Sequence, residues 1–383
     1  MTDTEVPGLL STDLPFEFRT CPHLRQARRG AAARRVRTPA GDEAWLVSGH
    51  DEIKKLLIGR QLGRSHPTPE ARAQYAHDPL YDQVESHDHA VADTAHAAVR
   101  AAVKPHFTAR RMLRLRPTLA TLVEGQVDQL IEHGPPAELR ADFSGPLIRR
   151  VFTELFAVPA ADRDRCLEVM RLGSEDGLGD LFEFVTELAA TKAAAPDDSL
   201  MARLAASGLH GDQVVRIAML LYLAGTGATS NQIDYGILLL AEESAQRERL
   251  AANPDQLPVA IEEMLRLAGS LTLPRYARED FEIGDSTISA GDLVLLDLVD
   301  GNYDEDAFAE PTTFEAERRP NRHLTFGHGS WTCPGAPLAR QVMQLVFASL
   351  LTRLPTLRPA LPPGSTTGGP LTGGLPTTLE ITW

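Results

Sequence analysis

"FGHGSWTCPGAPLAR", residues 326–340, is the stretch on which the reading of this chain turns. Gly327 and Gly329 can enter backbone conformations that other residues avoid, so they permit a tight loop. Pro334 suits the first position of a helix, where its missing N–H costs nothing. That places Cys333 at the N-terminus of the following helix, where unpaired N–H groups and the helix dipole favour a thiolate. Gly335 removes a Cβ close to the sulfur and leaves room for something flat and bulky. Leu338, Val342, Leu345 and Val346 recur at helical spacing and form a packing face. Three chemistries suit such a cysteine: a structural thiol at a loop–helix junction, a nucleophile with His328 as its base, or an axial ligand to haem iron. No third group accompanies His328 to orient it.

Beyond this loop the composition is that of a globular protein, with 43% hydrophobic and 23% charged residues among 383. A net charge of -14 argues against nucleic acid as a partner, because phosphate binding needs a basic face. No apolar run reaches the roughly 18 residues of a membrane span. The opening "MTDTEVPGLL" has neither the basic region nor the apolar core of a signal peptide. Cys21, Cys166 and Cys333 make an odd, low count that fits a reducing cytoplasm rather than a disulfide scaffold. The basic run "RQARRGAAARR", residues 25–35, reads as a solvated helix face and only secondarily as a docking patch.

Helical patterns dominate the chain. Residues 94–107 stop near Pro105, residues 116–133 keep helical apolar spacing, and residues 257–269 are amphipathic. Residues 211–243 form the longest pattern, with Asp212 as N-cap and apolar residues on nearly every side, so this helix should cross the core. Residues 43–50 read as a short strand, and residues 273–298 shift to strand character around turn glycines 284 and 291. The expected fold class is mainly α with a minor β part, with residues 1–383 forming one domain.

The cysteine loop resembles the haem-binding loop of the cytochrome P450 superfamily, F-G-x-G-x-[HR]-x-C-x-G, through Phe326, Gly327, Gly329, Cys333 and Gly335. Other motifs agree in order. Glu263 and Arg266 resemble the family's E-x-x-R pair, and Arg318 fits its third member. Three residues apart on a helix, Glu263 and Arg266 share a face. His96 and Arg100 match H-x-x-x-R, whose members bind haem propionates, and Arg275 matches a further propionate-binding arginine. The resemblance runs from about residue 40 to the end and is closest to the soluble bacterial type. It implies a triangular-prism fold with haem b between the long central helix and the cysteine-loop helix. It also implies Cys333 as iron ligand, a ferredoxin and ferredoxin reductase as electron donors, a small-molecule or peptide substrate, and a monomer. Trp331 departs from the pattern: it stands where the family has His or Arg, and an indole offers one N–H but no charge.

The central helix departs further. The family's A-G-x-[DE]-T-[TS] aligns with Ala224 and Gly225 in "LYLAGTGATSNQ". Thr226 then takes the variable position, Gly227 replaces the acid, Ala228 replaces the alcohol, and Thr229 takes the second alcohol position. In the family the acid and the alcohol deliver the protons that dioxygen cleavage consumes. A local slip or helical bulge would let Thr226 or Thr229 act as the alcohol, but none supplies the acid. The resemblance therefore leans to oxidative coupling or cross-linking of an aromatic or peptide intermediate in natural-product metabolism. Hydroxylation or epoxidation of a natural-product scaffold is the alternative. A peroxide-using peroxygenase and a non-catalytic haem-binding recruitment protein are further ones. By family position, substrate-facing segments fall at residues 65–93, 172–188, 224–229, 270–273 and 371–375. The first carries His66, His77, His87 and His89 and reads as a polar lid before a metal site.

Overall fold

Periods of two and of 3.6 alternate along the chain, and the computed structural model resolves them into short strands and long helices. It describes residues 32–75, 92–171, 175–268, 272–360 and 378–383. The first elements are β1 (Arg34–Arg37), β2 (Glu43–Val47), α1 (His50–Ile58), β3 (Leu62–Gly63), α2 (Ala92–Val103), α3 (Ala109–His133) and β4 (Ala137–Glu138). A π-helical turn, Leu139–Ser144, leads into α4 (Gly145–Leu155), followed by α5 (Arg163–Arg171), α6 (Glu175–Ala194), α7 (Leu200–Ala205) and α8 (Gly211–Glu242). Then come α9 (Ser244–Ala252), α10 (Leu257–Leu267), β5 (Thr272–Ala277), β6 (Phe281–Ile283), β7 (Ser286–Ile288), β8 (Leu293–Asp297) and α11 (Leu298–Gly301). The last are α12 (Ala336–Arg353), β9 (Arg358–Pro359) and β10 (Glu380–Thr382). The described residues are mainly α with a minor β part, as the sequence implies.

They divide into two compact units. The first takes in described residues of Met1–Ala97 and Val259–Cys333. Its five-stranded sheet has the order β1-β2-β8-β5-β3, with β2 parallel and β5 antiparallel to β8. All five residues of β8 are buried, which is why "LVLL", ahead of Asp297, is a continuous apolar run rather than an alternating one. Leu293 and Leu295 pack with Leu46 and Tyr276 on one face; Val294 and Leu296 pack with Val47, Ile53 and Leu57 on the other. Asp297 then caps α11, accepting from the N–H groups of Val299 and Asp300 at 3.1 and 3.2 Å.

The second unit takes in described residues of Ala98–Pro258, Pro334–Leu361 and Thr378–Trp383. Its axis is α8, 32 residues and about 48 Å long at 1.5 Å per residue. Two glycines let α8 approach its neighbours. A Cβ at Gly225 would lie 2.3 Å from Cζ of Phe152 in α4, and one at Gly236 would lie 2.3 Å from Cζ of Phe347 in α12.

Several expectations need correction. The N-cap of α8 is His210, whose N–H donates to Oε1 of Gln213 at 3.1 Å; Asp212 sits inside the first turn, where its charge suits the dipole. Helix α3 starts at Ala109, not 116, and passes through Pro117. Its first turn is held by Arg111 and Met112 N–H groups on the Thr108 carbonyl, at 2.9 and 3.0 Å, and by the buried Met112 side chain. The described end of the basic run is strand rather than helix: Arg35, in β1, stacks on the Trp45 ring at 4.4 Å. Among the described residues no helix is long and apolar enough to cross a membrane, and no group of His, Cys, Asp and Glu could hold a metal ion. His66 lies edge-on to Tyr276; His77, His87, His89, Cys21 and residues 371–375 lie outside the described residues.

Candidate active site

The cysteine loop closes on itself. Gly327 and Gly329 take φ values of 68° and 61°, left-handed backbone that a side chain would strain. The Gly327 N–H donates to the Leu324 carbonyl at 2.7 Å, and the Cys333 N–H donates to the Phe326 carbonyl at 2.7 Å. Thr332 Oγ1 donates to the Gly329 carbonyl at 2.9 Å. These bonds fix the turn by backbone geometry, and the Cys333 side chain is left exposed rather than packed as a structural thiol would be. Cys166, by contrast, is fully buried beside Thr153 and Met170, and burial pushes its thiol up to about 11. The Trp331 side chain lies outside what the structure describes.

The following helix begins later than its sequence suggests. Pro334 and Gly335 form a turn, Gly335 is the N-cap, and α12 starts at Ala336 with Pro337 in its first turn. Cys333 therefore precedes the helix by three residues instead of opening it. Pro337, not Pro334, is the proline whose missing N–H falls among the unpaired donors of the first turn.

Behind the loop lies a buried charged cluster. Arg266, fully buried, donates to Glu263 through Nε to Oε2 and Nη2 to Oε1, both at 2.7 Å. Arg318 Nε donates to Glu263 Oε1 at 2.9 Å, Asn321 Nδ2 to Oε2 at 3.0 Å, and the Glu315 N–H to Oε1 at 3.2 Å. The arginines spend their other donors on carbonyls: Arg266 on Asn302 and Pro311, Arg318 on Ala309. A buried ion pair is tolerable when every lone pair and proton is met in this way.

Two residues missed at sequence level tie this cluster to the loop. Asn302, fully buried, donates to the Arg266 carbonyl and to Thr325 Oγ1, and accepts from the Leu324 N–H at 2.6 Å. Thr325 Oγ1 donates to the Leu265 carbonyl at 2.7 Å. Neither belongs to a periodic pattern. Their only signal is a polar residue inside an apolar context: Asn302 just after the buried strand and helix, Thr325 between Leu324 and Phe326.

The expected propionate-binding residues are placed as follows. Arg275 lies in β5 opposite Val294, is 8% exposed, and donates through Nη1 to the Pro274 carbonyl. His96 and Arg100, one turn apart on α2, are both half-buried.

On α8, Ala224, Gly227 and Ala228 are exposed in a helix whose residues 230–240 are all buried. Their spacing of three and four places them on one face. A Cβ at Gly227 would meet nothing within 4 Å. Gly225 lies to the side of that face, against Phe152, so its small size serves packing. The helix is regular α through this stretch, without the bulge that would turn Thr229. Thr226 Oγ1 donates to the Tyr222 carbonyl at 2.8 Å. The first carboxylate beyond the motif is Asp234, buried, and raised to about 6 by that burial against the opposing pull of Arg140.

Known proteins carry the same features. The family model described as Cytochrome P450 matches residues 183–359. The chain is 34% identical over 376 residues to the pentalenolactone synthase of Streptomyces exfoliatus, covering 94% of each chain. It is 32% identical over 350 residues to the mycinamicin IV hydroxylase/epoxidase of Micromonospora griseorubida, covering 86% of each. Among solved structures, the substrate-free cytochrome P450 PimD, a polyene macrolide antibiotic pimaricin epoxidase, superposes with a TM-score of 0.89 at 39% identity, covering 99% of this chain and 100% of that one. With identity of this level along nearly its whole length, the chain belongs to the cytochrome P450 family, whose members bind haem b through a thiolate.

Proposed function

We propose that this protein is a haem-thiolate monooxygenase of bacterial natural-product metabolism that places one oxygen atom from dioxygen into a large scaffold, by hydroxylation or epoxidation. The observation that carries the reading is the exposed Cys333 thiol, presented by a loop that its own N–H closes and that buried Asn302 and half-buried Thr325 anchor. The residues fit the family's cofactor: an exposed sulfur on a glycine-turned loop can reach a flat ligand, and the bare face at Gly227 leaves space that a side chain would fill. Relatives named as a polyene macrolide epoxidase and as a mycinamicin IV hydroxylase/epoxidase support a bulky substrate.

In this reading Cys333 holds the iron. Arg275, His96 and Arg100 offer charge and donors to the propionates, and Trp331 offers a single N–H. Phe326, Gly327 and Gly335 shape the loop around the sulfur. Glu263, Arg266 and Arg318 hold the segment from which the loop springs. Bound haem b supplies the activation of dioxygen. On α8, Gly227 and Ala228 supply neither acid nor alcohol, and the Thr226 hydroxyl proton is engaged with Tyr222. Thr229 completes the set whose chemistry the substrate or ordered water must supplement. A ferredoxin and its reductase supply electrons to a monomer in which residues 1–383 form one domain.

The missing acid and alcohol favour one second reading, oxidative coupling of an aromatic or peptide intermediate. Turnover with ferredoxin, reductase and labelled dioxygen separates the two. Mass spectrometry should find one labelled oxygen atom in the product. A product that has lost hydrogen and gained no label overturns oxygen insertion in favour of coupling. The carbon monoxide difference spectrum of reduced holoenzyme tests the ligand: Cys333→Ala should abolish the thiolate band, and a retained band would refute the assignment.

A further inference from the structure

Asp234 is a buried carboxyl that takes no part in holding haem. Asp234 lies seven residues beyond Gly227 on α8, which is two turns along and only about 20° around the axis. Asn231, one turn beyond Gly227, lies on the same stripe. Arg140, from the π-helical turn, donates to Asp234 Oδ2 through Nε at 2.9 Å and again through Nη2, and Nη2 also donates to Asn231 Oδ1 at 2.6 Å. Both contacts fall on one carboxylate oxygen. Arg140 leaves the other, Oδ1, untouched; it is buried, and the Ser144 hydroxyl lies beside the carboxyl, outside full hydrogen-bond geometry but close enough to favour the charged form. Glu138 adds a like charge from the foot of the same turn, while the Asp142 carboxylate there is engaged by the Glu138 N–H at 2.7 Å. Arg140 meets only Oδ2, so Oδ1, beside the Ser144 hydroxyl, is the oxygen on which a proton can sit. The Arg140 side chain is 34% exposed, so the cluster reaches solvent at one end and the buried stripe of α8 at the other.

We propose that Asp234, clamped by Arg140 and bordered by Asn231, is the proton-holding positioning residue for the open face at Gly227 and Ala228. This rests on the oxygenase reading. Each oxygenation consumes one dioxygen, two electrons and two protons; one oxygen atom enters the substrate and the other leaves as water. The ferredoxin supplies the electrons. A proton on Asp234 Oδ1 passes to water along the stripe from Asn231 to Gly227, where an added Cβ would meet nothing within 4 Å. Arg140 holds the carboxylate that remains, and solvent at its exposed end returns the proton. A group that burial has raised to about 6 is well placed to exchange protons near neutral pH.

The test uses haem-loaded enzyme with ferredoxin and reductase. Infrared difference titration of the resting holoenzyme should show a protonated carboxyl that titrates near pH 6 and vanishes in Asp234→Asn. In that variant, product formed per electron consumed should fall about tenfold and the solvent deuterium isotope effect should rise, with KM unchanged. Asp234→Glu should recover part of the loss, and adding Gly227→Asp to Asp234→Asn should recover more. A merely structural role would lower the melting temperature and leave product per electron, isotope effect and pH profile at wild-type values; that result overturns the proposal. So does a wild-type titration with no such carboxyl. If Asp234→Asn does not fold, Arg140→Gln decides, because loss of the counter-charge must move the band to higher pH; an unmoved band overturns the assignment. Wild-type enzyme that never oxygenates its substrate fails the oxygenase reading alone, while the titration still judges Asp234.

Discussion

Glu263 has no access to water, and its two oxygens are shared among Arg266, Arg318, Asn321 and the Glu315 N–H. Removing it would strand the guanidinium of Arg266, which is also fully buried. Breaking such a pair from one side costs about 3–5 kcal/mol. Glu263→Ala should therefore lower the unfolding free energy by about that amount in urea titrations and reduce haem retention with it. The glycines of α8 separate two roles that look alike in the sequence. Gly225→Ala should destabilise by about 1–3 kcal/mol, because the new methyl meets Phe152 at 2.3 Å, and Phe152→Leu should relieve it. Gly227→Ala meets nothing within 4 Å and should stabilise by about 1 kcal/mol through helix propensity, read by thermal unfolding.

At the scale of elements, α8 is held by close approach to helices far away in sequence. Gly236 brings it against α12, where Phe347 fills the space a Cβ would need. Gly236→Ala should push the helices apart at a cost of about 1–3 kcal/mol, and Phe347→Leu in the same chain should recover part of it; single and double variants in denaturant titrations check the coupling. Element type was readable from periodicity, because long apolar patterns and the run "LVLLD" carry it locally. Element ends were less so. Pro334 looked like a helix start, yet the loop bond from the Cys333 N–H to the Phe326 carbonyl keeps Cys333 out of the helix, and Pro337 takes the first turn. The apolar spacing starts the pattern at 116, yet packing of Met112 carries α3 back through Pro117 to Ala109.

For the whole molecule, two buried groups set opposite pH trends. Burial, with Arg111 and Arg203 nearby, lowers His106 to about 4, from an ordinary value of about 6.5. Its contribution is present above pH 6.5 and lost as pH falls towards 4, because only the unfolded chain takes the proton. Asp234 is raised to about 6, from about 3.9. Its contribution is present below pH 4 and lost as pH rises through 6. His106→Gln should make the acid-side fall in stability shallower, and Asp234→Asn should make it steeper; urea titrations across the range check both signs. The sequence by itself determined the family, the cysteine loop, the E-x-x-R pair with its third arginine, and the absence of acid and alcohol at Gly227 and Ala228. These are local patterns whose chemistry depends on residue type and spacing alone. Only the tertiary structure decided that Gly225 serves Phe152 and not the open face, that Asn302 and Thr325 tie the loop to the buried ion pair, and that Arg140 holds Asp234 through one of its two oxygens. Each of these depends on what packs against a side chain from a distant part of the chain, and no period in the sequence records that.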